Sequence, residues 1–173
     1  MTIRRIEPVS GYTPTIGRLV CILMHSRQAL VAAVAGLSRE QLDHLHDPES
    51  NTIGALLAHV AAVERWYQVF TFENRMPSAS EEAAWPAALR LGEEGRRQIR
   101  GRELPSYLDE LARTREVTLG RLAERDDAWL EGPLPLAPEM NPHFAWFHVA
   151  EDEINHRGQI RWLRARLKTE EAR

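Results

Sequence analysis

The spacing of apolar residues is the feature that most constrains the fold of this 173-residue chain. Four long segments, 14–35, about 52–72, 105–130 and 141–168, repeat apolar residues at intervals of three and four. That spacing is typical of amphipathic α-helices, and no segment shows the alternation of a β-strand. The pattern predicts an all-α four-helix bundle with a long crossover connection between helices two and three.

Residues with strong preferences for helix ends support these boundaries. Small polar residues that suit the N-cap precede three of the segments, and proline occupies the first turn of two of them. Glycine follows the first and third segments, where it favours a helix stop. The N-cap candidates are Thr13, Thr52 (or Asn51) and Asn141, and the glycine stops are Gly36 and Gly132.

Shorter helical segments are predicted between the long ones. Ser38 and Gln41 have the spacing of a capping box, which predicts a short helix after helix one. The crossover, 73–103, contains several prolines and glycines and is expected to be irregular, with a helical part around 81–91.

Composition places the chain among ordinary globular domains. Apolar residues make up 43% and charged residues 27%, and the length suits a single domain over 1–173. The net charge of −3 and a short basic run without interleaved aromatics give no reason to expect a nucleic-acid partner. The longest apolar region, 16–37, is interrupted by polar residues, so a core helix is expected rather than a membrane span.

The single cysteine, Cys21, excludes an internal disulfide framework and favours a reducing cytoplasm. It lies among apolar residues of helix one, where a buried, inert thiol is expected. The first ten residues lack the apolar run of a signal peptide, so cytoplasmic localisation is expected.

An acid and a histidine stand on the apolar face of helix four. Asp152 and His156 are four residues apart, on a stripe that includes Val149, Ile160 and Leu163. Burying a carboxylate costs several kcal/mol, roughly, unless a partner compensates for its charge. A divalent cation bound by both residues is one such partner, and an ordinary ion pair within the helix is the other.

Helix two offers a third donor. His59 lies in the middle of an apolar stripe that contains Leu56 and Val63, so it is expected to be buried and able to face helix four. His59, Asp152 and His156 would form a three-ligand site suited to zinc, nickel, iron or manganese. Three protein ligands leave a position open for water or substrate, as in catalytic rather than structural metal sites.

Two motifs resemble those of a known family. The stretch NTIGALLAHVAAVERWY, with Thr52 seven residues before His59, is similar to the second helix of the DinB-like (YfiT-like) metalloenzymes. The stretch FHVAEDEINHRGQIRWLRARL is similar to the last helix of that family, in which a metal ligand precedes His-Arg-Gly-Gln by four residues.

The resemblance implies a four-helix bundle, often a homodimer, in which His59 and His156 bind a metal, commonly zinc or nickel. The family's third ligand is most often a histidine, whereas this chain has Asp152, which puts the identity and affinity of the metal in doubt. A carboxylate should favour harder ions such as manganese or iron. His148, four residues before Asp152 and toward the rim of the stripe, is the alternate ligand or a neighbour that contacts the ligands without binding the metal.

Related proteins include transferases that attach low-molecular-weight thiols to electrophiles. The resemblance therefore implies a metal-dependent thiol S-transferase acting on small molecules, with a low-molecular-weight thiol as cosubstrate. The catalytic group would be a metal-bound water or thiol. The alternatives are a metal-dependent hydrolase of the same fold and a non-catalytic helical dimer associated with stress.

Overall fold

In the computed structural model the chain is described over residues 5–170, apart from the side chains of 82–84, 86 and 168–170. Over these residues the secondary structure is helical, except for an isolated bridge between Leu134 and Ala137. The prediction of an all-α fold is confirmed. The helices are α1 (Pro14–Val34), α2 (Arg39–Leu42), α3 (Ile53–Tyr67), α4 (Ala79–Ala84), α5 (Pro86–Arg90), α6 (Gly92–Gln98), α7 (Leu104–Ala123), α8 (Asp127–Glu131) and α9 (Pro142–Glu170), and a π-helical turn, Gln68–Phe72, continues α3.

Within the described residues, four long helices contact one another in a closed ring. α1 packs on α9, α9 on α3, α3 on α7, and α7 returns to α1. These are contacts that the predicted bundle would make. Two apolar clusters fill the interior, one around Leu56, Leu111 and Ile160, and the other around Leu23 and Trp146.

Side-chain caps begin two of the helices as predicted. Thr52 Oγ1 accepts a hydrogen bond from the amide of Ala55 at 3.0 Å, and Asn141 Oδ1 accepts one from the amide of Phe144 at 2.8 Å. Each bond satisfies an amide that has no partner inside the helix. The helices that carry the candidate ligands therefore start at residues that the sequence specifies locally.

The prediction of one helix over 105–130 is wrong. α7 ends at Ala123, and α8 begins separately because Asp126 Oδ1 accepts a hydrogen bond from the amide of Trp129 at 2.8 Å. The next residue, Asp127, accepts hydrogen bonds from the amides of Thr15 and Ile16 at 3.0–3.1 Å. A carboxylate from the α7–α9 connection thus caps α1, the role that the sequence assigned to Thr13.

The crossover is more helical than predicted. α4 and α5 together cover the expected region around 81–91, but α6 follows them without having been predicted. Leu91 and Gly92 link α5 to α6 with positive φ angles of 55° and 63°. The Asn51 side chain accepts a hydrogen bond from the Gly92 amide at 3.1 Å, which ties the crossover to the start of α3.

A glycine permits the close approach of α3 to α7. A Cβ atom on Gly54 would lie 2.6 Å from the hydroxyl oxygen of Tyr107, which is 1% exposed. Any side chain there would push the two helices apart or displace the tyrosine.

α1 is the one helix, among those described, that length and composition would allow to cross a membrane. In the fold it contributes Leu19, Leu23 and Leu30 to the interior, each at most 2% exposed. It packs on α9, as expected of a core helix.

Four charged side chains, three of them buried and the fourth, Arg27, 12% exposed, meet between the two apolar clusters. Arg27, Glu64, Arg115 and Glu153 come from α1, α3, α7 and α9 respectively, and we call them the central charged cluster. The Arg27 guanidinium lies 2.8 Å from Glu64 and 2.5 Å from Glu153, and that of Arg115 lies 2.6 Å from Glu64 and 3.0 Å from Glu153. Two positive charges therefore balance two negative ones.

Hydroxyl groups also donate hydrogen bonds to the two carboxylates of the cluster. Ser26 Oγ donates to Glu153 at 2.9 Å, and Thr118 Oγ1 donates to Glu64 at 2.7 Å. Burial opposes ionisation of Glu64, but Arg115 and Arg27 hold the pKa of that carboxyl below its usual value. Glu64 therefore stays ionised, and the cluster acts as a neutral, fully bonded unit.

Removing one member of the central charged cluster should destabilise the fold strongly. Arg115→Met should lower the free energy of unfolding by about 3–5 kcal/mol, because it leaves an unbalanced buried negative charge. Adding Glu64→Gln to that variant restores neutrality, so the double variant should lose less stability than the sum of the two single changes. Urea unfolding at pH 7 measures both, with Arg113→Met, an exposed position on α7, as the matched control. Additive losses would contradict the electrostatic coupling.

Candidate metal centre

The three predicted donors meet between α3 and α9. Within the described residues, ligand atoms of His59, Asp152 and His156 all lie within 4.8 Å of one another. Nε2 of His156 is 3.2 Å from Asp152 Oδ1, and Nε2 of His59 is 3.8 Å from the same oxygen. The two imidazole rings are nearly perpendicular, with centroids 4.7 Å apart.

Helix geometry explains this meeting. Asp152 and His156 are one turn apart on α9, so their side chains project from the same face. His59 lies on the face of α3 that packs against α9. The three side chains are 11–16% exposed, so the group is screened from bulk water but not sealed from it.

Each histidine is held through its other ring nitrogen. Nδ1 of His59 lies 2.8 Å from the backbone carbonyl oxygen of Ala88, in α5. Nδ1 of His156 lies 3.2 Å from Oε1 of Gln159, one turn further along α9. Since both oxygens can only accept a hydrogen bond, each Nδ1 carries the hydrogen, and the lone pair of a neutral ring lies on Nε2.

The charge of Asp152 dominates the electrostatics of the group. Burial alone would raise the pKa of Asp152, but the neighbouring imidazoles of His156 and His59 hold it well below its usual range. Burial also works to lower the pKa of His156, but Asp152 outweighs that effect and raises it above its ordinary value of 6.5. An ionised carboxylate therefore lies between two imidazoles.

The fourth candidate of the sequence analysis, His148, lies outside this group. Its side chain is 41% exposed, and Nδ1 lies 3.4 Å from Glu151 Oε2. Its ring stacks on Phe144 and makes an edge contact with Tyr67, with centroids 6.4 Å and 5.9 Å away. The structure therefore brings together the two histidines and the acid, and places His148 at their rim.

Two neighbours of the site escaped the sequence analysis. The Ala88 carbonyl has no sequence signal, because every residue carries one. Gln159 did have a signal, since it belongs to the His-Arg-Gly-Gln motif and follows His156 by three residues, a spacing that allows contact along a helix. The sequence alone places Gln159 in the motif but does not identify His156 as its partner.

Comparison with known proteins identifies the family. Residues 18–169 match the family model described as mycothiol-S-transferase. The chain belongs to the mycothiol S-transferase family. This membership confirms the resemblance to DinB-like proteins, and the matched region contains all three donor residues. Among proteins with curated functions, none matches the chain.

The donor set of this family member fits a divalent cation. Two imidazole nitrogens and a carboxylate oxygen are ligands that zinc and neighbouring transition metals accept. Both Nδ1 atoms are hydrogen-bonded to oxygen acceptors, as is usual for metal-binding histidines, where the second bond fixes the ring and increases its basicity. His59, Asp152 and His156 could therefore hold a metal ion.

Neutralising Asp152 should lower the pKa of His156 in metal-free protein. In Asp152→Asn the attraction is lost while the burial remains, so the pKa should fall below 6.5, whereas in the parent chain it lies above 6.5. Because the folded-state pKa of the parent is raised, the pairing stabilises the fold below 6.5 and is lost as the pH rises through the folded-state pKa.

Histidine resonances followed by NMR against pH, in the presence of a chelator, measure this shift. Glu151→Gln, a change at a neighbouring exposed position, serves as the control and should leave the pKa of His156 unchanged. An unchanged His156 titration in Asp152→Asn would show that Asp152 does not control the charge of the group.

Proposed function

We propose that this protein is a metal-dependent thiol S-transferase that joins a low-molecular-weight thiol to a small electrophile. The observation that carries the proposal is the convergence of His59, Asp152 and His156 within 4.8 Å, in a member of the mycothiol S-transferase family. Mycothiol, named in the description of the family, is the first thiol to test.

Each residue of the site has a distinct role in this proposal. His59 and His156 supply neutral Nε2 donors, which the Ala88 carbonyl and Gln159 hold in one tautomer. Asp152 supplies the negative charge that offsets part of a bound cation's charge. A bound cation would lower the pKa of a coordinated thiol and so favour the nucleophilic thiolate. Three protein donors leave a coordination position free for that thiol.

The identity of the cation follows from the donor types. Zinc and nickel both accept imidazole nitrogen, and zinc also accepts a single carboxylate oxygen, so zinc is the first choice. Compared with a site of three histidines, this site should bind manganese or iron more readily, because Asp152 is a harder, charged ligand.

Tyr67 is a further candidate for contact with the substrate. Burial, and secondarily the charge of Asp152, raise the pKa of Tyr67 above its usual value. Its hydroxyl therefore stays protonated at neutral pH and can donate a hydrogen bond, but it does not supply a base.

We further propose that the protein acts as a homodimer in the cytoplasm, without a membrane or nucleic-acid partner. The dimer is supported by the family resemblance, and the cytoplasm by the single cysteine, Cys21, which is buried. The net charge of −3 supports the absence of a nucleic-acid partner.

The metal ligands are tested by elemental analysis. Untagged protein should bind close to one equivalent of zinc, and His59→Ala should abolish stoichiometric binding because it removes the donor from α3. His148→Ala is the matched control, since that histidine lies at the rim of the site, and it should bind zinc as the parent does. Parent-level zinc in His59→Ala would refute the assigned ligand set.

The activity is tested by conjugation of thiols to a small electrophile such as monobromobimane. Zinc-loaded protein should accelerate the reaction of mycothiol, with bacillithiol and glutathione as comparisons, and removal of the metal by a chelator should abolish the acceleration. Metal binding without conjugation of any thiol would favour the hydrolase alternative. Absence of metal, with a melting temperature that does not respond to chelator, would favour the non-catalytic dimer.

A further inference from the structure

A pocket of about 470 Å³ lies between the loop that precedes α3 and the second half of α9. Leu56, Trp162 and Leu163 give it an apolar wall, and Asn51, Gln159 and Glu49 give it polar groups. Trp162 is 46% exposed, with the Arg166 guanidinium over its ring and His46 in edge contact with it, so part of its aromatic surface is left for a ligand. The composition is that of a small-molecule site, mostly apolar with a few polar groups that fix orientation.

Gln159 belongs to both the pocket and the metal centre. Its side chain contributes to the pocket lining, and its Oε1 atom accepts the hydrogen bond from Nδ1 of His156 at 3.2 Å. The same planar amide carries two N–H donors on its nitrogen. A ligand in the pocket and the imidazole ring of His156 are thus separated by a single side chain, that of Gln159.

We propose that Gln159 is a positioning residue that links this pocket to the metal centre, and that the pocket holds the non-reacting part of a substrate. The oxygen of the amide orients His156, and the nitrogen is available to a hydrogen-bond acceptor on the ligand. This inference rests on the proposed function, because it assumes that His156 binds a metal.

The lining defines the chemical class of the ligand. Among the pocket-lining residues that the structure describes, Glu49 is the one charged side chain. Arg96 bonds to the backbone carbonyl of Glu49 and Arg166 lies over the Trp162 ring, so charges of both signs surround the pocket. The amides of Asn51 and Gln159 suit hydroxyl or amide groups on a ligand. The pocket therefore suits a group with an apolar face for Trp162 and hydrogen-bonding groups at its edge. That group belongs either to the thiol or to the electrophile.

Zinc affinity alone tests the positioning role. Gln159→Leu should weaken zinc binding by about 10–100-fold, the usual effect of removing a partner of a metal-binding histidine. Gln159→Glu should restore most of the affinity, because a carboxylate also accepts a hydrogen bond from Nδ1. A purely structural role would not distinguish glutamate from leucine in this way. Competition with a chromogenic chelator measures the dissociation constants, and thermal unfolding with chelator checks that each variant is folded.

Two control variants separate the loss of the Gln159–His156 hydrogen bond from general effects of substitution on the surface of α9. Asn155 is exposed on α9, one turn before Gln159. Asn155→Leu tests the effect of an apolar surface change, and Asn155→Glu tests the effect of added charge without a bond to His156. Both should bind zinc as the parent does. Unchanged affinity in Gln159→Leu, or equal weakening in Gln159→Leu and Gln159→Glu, would overturn the positioning role.

Trp162→Ala tests the pocket and identifies its ligand. The variant should bind zinc normally but raise the KM for one substrate by about tenfold, which corresponds to about 1.4 kcal/mol, within the range of an aromatic contact. A change confined to mycothiol assigns the pocket to the thiol, and a change confined to monobromobimane assigns it to the electrophile. No change in either would overturn the assignment of the pocket.

The outcomes distinguish this inference from the proposed function. If the parent chain binds no zinc, the proposed function fails and the role of Gln159 fails with it. If the parent binds zinc and conjugates thiols while Gln159→Leu behaves as the parent does, only the further inference fails.

Discussion

The fold depends on the central charged cluster, to which each of the four long helices contributes one charge. A buried carboxylate without its partner costs several kcal/mol, roughly, so a helix arrangement that separates Glu64 or Glu153 from the two arginines is disfavoured. Apolar packing tolerates many alternative alignments of two helices, because leucines and valines on neighbouring turns are interchangeable. The central charged cluster has one satisfied arrangement, with contacts of 2.5–3.0 Å between all four helices.

The geometry of the candidate metal centre depends on the central charged cluster. Glu64 follows His59 by five residues on α3, and Glu153 directly follows Asp152 on α9. Arg115 binds Glu64 and Glu153 at once and so fixes α3 against α9. A shift of either helix by one residue would move its side chains by about 1.5 Å along the axis. Such a shift is a large fraction of the 3.2 Å and 3.8 Å that separate the imidazoles from Asp152. The central charged cluster and the candidate metal centre therefore depend on the same alignment of α3 with α9.

Local sequence signals predicted the helices that carry the site, but not the interactions that align them. Thr52 and Asn141 cap their own helices, and Asp152 and His156 face the same side of one helix, so short stretches of sequence suffice. Asp127 caps α1 from a distant part of the chain, and a single sequence gives no sign of that partner. Glu153 was missed for a related reason: beside Asp152 on a charged helix it resembles a surface residue until its partners on three other helices are known.

The presence of an acid in place of a third histidine changes what holds the site together. Three neutral imidazoles have little attraction for one another, so their convergence depends on a cation or on the surrounding fold. Asp152 supplies an attraction of its own, since it lies 3.2 Å from His156 and raises the pKa of that residue. A proton on His156 and a divalent cation between the three residues would therefore compete to balance the negative charge of Asp152. Binding of a cation at this site would therefore depend on pH, and the attraction between Asp152 and a protonated His156 favours convergence of the donors without a cation.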